Sequence, residues 1–289
     1  MKNKFVSVIL CFLTICIMSC GDFSDAGILQ PFSQFWQAEP IYDDSGSTRS
    51  LNVAAVSLEV DLSPELNRQK MVFYLDKIKS EQPNIRLILF PEAILGFYYK
   101  PSNPFEYQSL IAETIPGETT NVISQKAIEH QIFVSFGMVE KSDGFLYNSQ
   151  VLIAPDGNIL SVYRKIFITS DDKENGITAG NDVFVNIIDN IKVATIICHD
   201  INSLEINRKI HASGAELILL PMAWSDTVSP YTVFLPYQFT YTWILWANRF
   251  GNEDGINYNG LLSLTAPSGE RRIRTTGKEG YIYGVVKCR

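Results

Sequence analysis

Histidine is scarce here: 289 residues hold three, His130, His199 and His211. A zinc centre needs ligands at recognisable spacing, and three scattered histidines with one internal thiol do not supply it. A cysteine protease needs a histidine base. His199 adjoins Cys198, and neighbours on an extended segment point to opposite faces, while His130 and His211 fall inside predicted helices with no accompanying motif. Basic clusters are also lacking. The 24 Lys and Arg stand against 31 Asp and Glu, for a net charge of −7, which argues against a nucleic-acid partner. No repeat period is visible. The apolar run from Phe5 to Met18 is shorter than the roughly 20 residues a spanning helix needs. What is present is ordinary globular material, 46% hydrophobic and 19% charged, at a length that suits one large α/β domain or two small ones.

The amino terminus reads as a separate object. Lys2 and Lys4 precede the Phe5–Met18 run, the pattern of a secretory leader. It ends in Ile17-Met18-Ser19-Cys20-Gly21, which resembles the lipobox of bacterial lipoproteins. The resemblance implies a signal peptide over 1–19, lipid on Cys20 as the membrane anchor, and a protein working on the extracytoplasmic side of a bacterial membrane, periplasmic or at the cell surface. Residues 20–50, rich in Ser, Asp, Gly, Gln and Pro with aromatics at Phe32, Phe35 and Trp36, read as a tether. The domain is then 51–289. Of the five cysteines it keeps Cys198 and Cys288, and the penultimate position of Cys288 disfavours a disulfide between them.

Within the domain, strands alternate with helices. Leu51–Leu58 is β-rich, Ser63-Pro64 starts a helix whose face is Met71, Val72, Leu75 and Ile78, and Leu87–Phe90 is a short buried strand ending in Pro91-Glu92. A helix over Thr119–His130, a strand over Phe133–Val139 and a hairpin turning at Asp156-Gly157 lead to Arg164-Lys165. The polar stretch Thr169–Gly176 reads as a loop. A second hairpin, Val183–Ile188 with Ile191–Ile197, runs into Cys198. Then come a helix over Leu204–Ala212, a buried strand over Glu216–Leu220, an aromatic-rich run from Phe234 to Trp246 that suits core or subunit contact, and strands at Leu261–Ala266 and Tyr281–Lys287. The class is α/β.

A lone thiol is most often a packed core residue. Cys198, however, sits where an apolar strand ends, and strand ends are where catalytic groups gather in α/β sheets. With no histidine in place, a nucleophilic Cys198 would need a carboxylate as base and a cation for its developing charges. Glu92 and Lys165, both at strand ends, are the pair on offer.

Leu89-Phe90-Pro91-Glu92, Tyr163-Arg164-Lys165 and Ile197-Cys198-His199-Asp200 resemble, in order, the three signature blocks of the carbon-nitrogen hydrolase (nitrilase) superfamily. Further blocks are similar: Asn148, Ala179-Gly180-Asn181, Gly214 to Pro221 with Trp224, Ala247-Asn248-Arg249-Phe250-Gly251, and Pro267-Ser268-Gly269-Glu270. The resemblance implies an α-β-β-α sandwich. It also implies a triad in which Cys198 is nucleophile, Glu92 general base and acid, and Lys165 the cation on the tetrahedral intermediate. It adds a further acid after the lysine, best matched by Glu174 with Asp171 and Asp172 as alternatives, and an oxyanion and substrate pocket including His199, Trp224, Tyr98 and Asn148. The partners it implies are a small linear amide and a second copy of the chain, with no cofactor and no metal. Amide hydrolysis through a thioester is the expected activity. Acyl transfer to an amine, nitrile hydrolysis and a non-catalytic binding role are the alternatives. Three places depart from the pattern: His199 stands where an aromatic is usual, Phe167 where many members have histidine, and Ser203-Leu204-Glu205 where the family has Phe-Pro-Glu.

Overall fold

The computed structural model describes residues 43–99, 102–225, 242–275 and 277–289. The leader, Cys20, most of the tether and the first half of the aromatic-rich run therefore lie outside the described residues. No helix among the described residues is long and apolar enough to cross a membrane.

The first half of the domain builds all but one strand of one sheet and its helical cover. In chain order it comprises β1 (Arg49–Ser57), α1 (Pro64–Glu81), β2 (Leu87–Leu89), α2 (Pro104–Ile111), α3 (Glu118–His130), β3 (Phe133–Ser142), β4 (Phe145–Ile153) and β5 (Ile159–Arg164). A short helix α4 (Ser170–Glu174) leads to β6 (Val185–Ile188), β7 (Ile191–Thr195), a 3-10 turn over Cys198–Asn202, α5 (Leu204–Ser213) and β8 (Leu217–Met222). The chain closes with β9 (Trp243–Asn248), β10 (Phe250–Glu253), β11 (Ile256–Asn259), β12 (Leu262–Thr265), β13 (Arg271–Thr275) and β14 (Gly280–Cys288). Among the described residues these form two six-stranded sheets, ordered β14-β1-β2-β3-β4-β5 and β13-β12-β9-β8-β7-β6, with β10-β11 a separate ribbon.

The strands bury apolar residues on both faces, and the two faces have different partners. Val53, Ala55, Leu87 and Leu89 of the first sheet meet Val193, Leu217, Leu219 and Leu245 of the second in one core. The opposite face of the first sheet, with Ala54, Val56, Ile88 and Val134, packs under Met71, Leu75 and Ile78 of α1 and Ile123 and Ala127 of α3. Ala194, Ile218, Leu220 and Ile244 of the second sheet pack under Ile206 and Ile210 of α5. The layers are helix, sheet, sheet, helix, as the resemblance implied. Local chemistry sets the helix ends. Ser63 Oγ accepts from Leu66 N at 3.4 Å with Pro64 in the first turn, and Gly214 ends α5 in the left-handed region.

The expected strands and long helices fall where the periodicity put them. Three pieces differ. The polar stretch after Lys165 contains α4. A helix, α2, occupies Pro104–Ile111, and the chain leaves the strand before the thiol, since β7 ends at Thr195 and Cys198 opens a 3-10 turn with φ +47°. Trp243 and Trp246 of the aromatic run are buried in β9. Cys198 and Cys288 are both buried free thiols.

The turn after β2 depends on a glycine in β3. A Cβ added at Gly137 would stand 2.4 Å from Ala93 N, 2.7 Å from Pro91 O and 2.8 Å from Glu92 C, all backbone atoms with nowhere to go. Gly137→Ala is expected to cost about 1–3 kcal/mol of stability, read by urea denaturation, and to displace Glu92.

Candidate active site

Three strand ends converge. Glu92 follows β2, Lys165 follows β5 and Cys198 follows β7, so two groups come from one sheet and the thiol from the other. All three are buried, Glu92 completely. Lys165 Nζ lies 3.0 Å from Glu92 Oε1 and 2.9 Å from Asp172 Oδ2. An ammonium has three N–H bonds, so two carboxylate partners leave one to spare. Asn148 holds the arrangement from β4. Its Nδ2 donates to Glu92 Oε1 at 2.7 Å and to the Tyr98 hydroxyl at 3.0 Å, and its carbonyl accepts the Lys165 backbone N–H at 2.8 Å. The other Glu92 oxygen, Oε2, is buried without a hydrogen-bond partner.

The Glu92 carboxylate and the Ala223 backbone N–H both act on the thiol. Burial pushes the Cys198 thiol well above its ordinary range and the Glu92 charge adds to this, while Lys165 and the Ala223 N–H offset part of it. The group at rest is therefore a thiol. Burial pushes the Lys165 ammonium down, but Glu92, Tyr98, Cys198 and Asp172 around it prevail, so it stays protonated.

The expected fourth acid requires correction. Glu174 is exposed at the end of α4 and takes no part in the cluster, whereas Asp172 is fully buried and pairs with Lys165. The reason is helical geometry. Thr169 caps α4 and Asp172 is its third residue, so Thr169 Oγ1 accepts from Asp172 N at 3.2 Å while Asp172 Oδ2 accepts from Thr169 N at 2.7 Å. This capping box turns Asp172 inward and leaves Glu174 on the outer side. The Thr-x-x-Asp spacing was the available signal in the sequence.

The other expected pocket residues divide. Asn148 and Tyr98 are packed behind the lysine, with the Tyr98 hydroxyl donating to Asp172 Oδ1. Tyr98 is thus part of the polar network, not an open wall. Trp224 is half-buried next to Ala223, its backbone tied to the Asn248 side chain at 2.9 and 3.0 Å. The His199 ring lies against Phe167, with Nδ1 3.1 Å from Asn202 Nδ2. His130 pairs with Asp76 between α1 and α3, where Lys126 also bridges Asp76 and Glu129, and His211 is exposed on α5.

Two buried residues had no assigned role in the sequence reading. Arg249 is fully buried. It donates to the carbonyls of Glu92 and Gly96 at 3.0 Å each and to that of Ala93, and pairs with Glu253 at 2.5 Å. Glu253 in turn accepts the Tyr98 N–H at 3.0 Å. This clamp fixes the turn in which Ala93 takes φ +47°. Asp200, also fully buried, accepts from the backbone N–H groups of Ile166, Phe167 and Ile197 at 3.1, 2.7 and 3.0 Å and from the Tyr163 hydroxyl at 2.7 Å. It joins the segment after the lysine to the turn that carries the thiol.

The sequence matches the carbon-nitrogen hydrolase family over residues 52–284. This chain belongs to the carbon-nitrogen hydrolase family. It is 30% identical over 217 residues to a hydrolase in the pqqF 5′ region of Pseudomonas protegens, covering 73% of this chain and 75% of that protein. It is 32% identical over 189 residues to an omega-amidase of Pongo abelii, covering 63% and 66%. Among solved structures it superposes on an amidase from Nesterenkonia sp. with a TM-score of 0.73 at 18% identity, covering 85% of this chain and 93% of that one, which supports the common fold of carbon-nitrogen hydrolases.

Asp172 is held below the usual carboxylate range. Burial raises it, but Lys165, the Thr169 N–H and the Tyr98 hydroxyl outweigh that. A depressed folded pKa contributes stability that is complete above the ordinary aspartate value of 3.8 and is lost as pH falls. Asp172→Asn is expected to cost about 3–5 kcal/mol at neutral pH, with the gap to wild type closing in acid below about pH 4. Glu174→Gln should stay within about 0.5 kcal/mol. Urea denaturation against pH reads both.

Proposed function

We propose that this protein is an amidase that hydrolyses the C–N bond of a small linear amide through a thioester on Cys198. The observation that carries the reading is the convergence of a buried carboxylate, Glu92, on the buried Cys198 thiol, with Lys165 shared between that carboxylate and Asp172 and with Glu92 Oε2 making no hydrogen bond among the described residues. An unpaired buried oxygen costs free energy, and here it sits where a proton must be accepted.

The reaction follows from that geometry. Glu92 Oε2 takes the thiol proton as Cys198 Sγ bonds to the amide carbon, and the carbonyl electron pair moves onto oxygen. The remaining Lys165 N–H and the backbone N–H of His199 hold that oxyanion, at about 3 kcal/mol per donor. When the carbonyl re-forms, the C–N bond breaks and the protonated Glu92 delivers its proton to the departing amine. Water then enters, gives a proton to Glu92 and attacks the thioester carbon. Collapse expels the thiolate, which recovers its proton from Glu92. The sum is amide plus water giving carboxylic acid plus amine or ammonia. Asp172 serves as counter-charge, keeping Lys165 protonated and aimed while Glu92 cycles between charged and neutral.

The relatives named omega-amidase and amidase support the substrate class. Cys198→Ala is expected to lower ammonia release from simple amides by about 10⁴-fold or more with the fold intact by circular dichroism. Glu92→Gln should accumulate an acyl adduct on Cys198 in intact mass spectra. Full turnover in the Cys198→Ala protein would overturn the mechanism.

We also propose that the enzyme is anchored outside the cytoplasm through lipid on Cys20, on the strength of Lys2, Lys4, the apolar run and Ser19-Cys20-Gly21. Cys20→Ser should move the protein from the membrane fraction to the soluble fraction, measured by immunoblotting of fractionated cells.

A further inference from the structure

Two rings at the exposed side of the cluster have no part in that reaction. The Phe167 and His199 centroids are 4.7 Å apart with planes tilted by 31°. Phe167 is 43% exposed and His199 half-buried. One follows Lys165 by two residues and the other follows Cys198 directly. Asp200 sets their spacing, because it accepts the Phe167 N–H on one oxygen and the Ile197 N–H on the other. Asn202 Nδ2 faces His199 Nδ1 at 3.1 Å, which leaves the imidazole proton on Nε2.

Charge narrows what these rings can meet. Lys165 is the cation felt by the thiol, and it is already held by Glu92 and Asp172. Arg249 is fully buried on Glu253 and three carbonyls. A substrate carboxylate would thus meet two buried anions and no available cation among these groups. His199 adds no charge near neutral pH. Burial pushes its pKa down and Lys165 does the same, with Asp172 and Glu92 offsetting only part.

We propose that Phe167 and His199 form one specificity-determining pair, in which Phe167 holds the imidazole and His199 Nε2–H donates to a neutral acceptor on the substrate beyond the scissile group. The preferred substrates are then short uncharged amides bearing a second carbonyl, such as a second carboxamide. The proposal rests on the hydrolase reading above and narrows it.

Three amides of similar length test it: succinamide with a neutral second acceptor, succinamate with an anionic one, and butyramide with none. Wild type should prefer succinamide over butyramide by about tenfold in kcat/KM, the effect of one neutral hydrogen bond, with succinamate poorest. His199→Phe should bring the succinamide-to-butyramide ratio close to one. His199→Gln, which keeps an N–H donor, should retain part of the preference. The exchange variant Phe167→His with His199→Phe should recover more than the product of the two single effects, by about threefold or more, as coupled neighbours do. A ratio untouched by His199→Phe, independent single effects, or succinamate as best substrate would each overturn the pair. Failure of the hydrolase reading is distinguishable: no ammonia from any of the three amides and no adduct on Cys198 would remove both proposals together.

Discussion

The site depends on one buried ammonium held between two buried carboxylates. Removing Lys165, Glu92 and Asp172 from solvent costs several kcal/mol per ion, and mutual attraction repays that only if the remaining lone pairs are met. Most are. Asn148 serves Glu92, Tyr98 and the Thr169 N–H serve Asp172, and the Asn148 carbonyl fixes the lysine backbone. Among the described residues the exceptions are Asn148 Oδ1 and Glu92 Oε2, the latter on a carboxylate whose other oxygen is held by Asn148 and Lys165. A polar network that leaves acceptors unmet is poor design for stability, and in the proposed reaction the one on Glu92 is suited to taking a proton.

Around that network the backbone is held in costly shapes. Ala93 and Cys198, each next to or within the reacting set, both take φ +47°, a conformation that costs side-chain-bearing residues of order 1–3 kcal/mol. Each is secured by a buried charge of its own. Arg249 grips the carbonyls around Ala93, and Asp200 grips the N–H groups on either side of the seam between the sheets. Neither ionised group faces the substrate in the proposed reaction. Their effect is positional, and it reaches Glu92 and Cys198 through main-chain atoms that cannot adjust by changing rotamer.

The residues most legible in the sequence were those that punctuate strands. Glu92, Lys165 and Cys198 each follow a strand, which periodicity and polarity could show; taken singly they fitted a solvated strand end, surface decoration and a core thiol, and the ordered resemblance is what joined them. Asp172 was harder because it needed a five-residue helix to be recognised inside a polar stretch. Arg249 and Asp200 were legible only as part of short blocks, since beyond the nearby Glu253 and Ile197 the carbonyls on Arg249 lie 153 to 157 residues away and the other donors to Asp200 lie 33 to 37 away. Local pattern locates the chemistry; the groups that hold it are chosen by contacts between sheets.

The scarcity of histidine gains a physical meaning in this arrangement. A thiolate–imidazolium pair stores a separated charge before substrate arrives. Here burial and the Glu92 charge keep Cys198 protonated, so in the proposed reaction proton transfer and attack on carbon are coupled. The negative charge then passes from carboxylate to oxyanion without crossing more than one donor, and Lys165 faces it at both stages. Because Lys165 stays protonated with Asp172 beside it, the neutralisation of Glu92 midway leaves the ammonium paired. That explains why a second carboxylate is needed in a site whose proton chemistry uses only one.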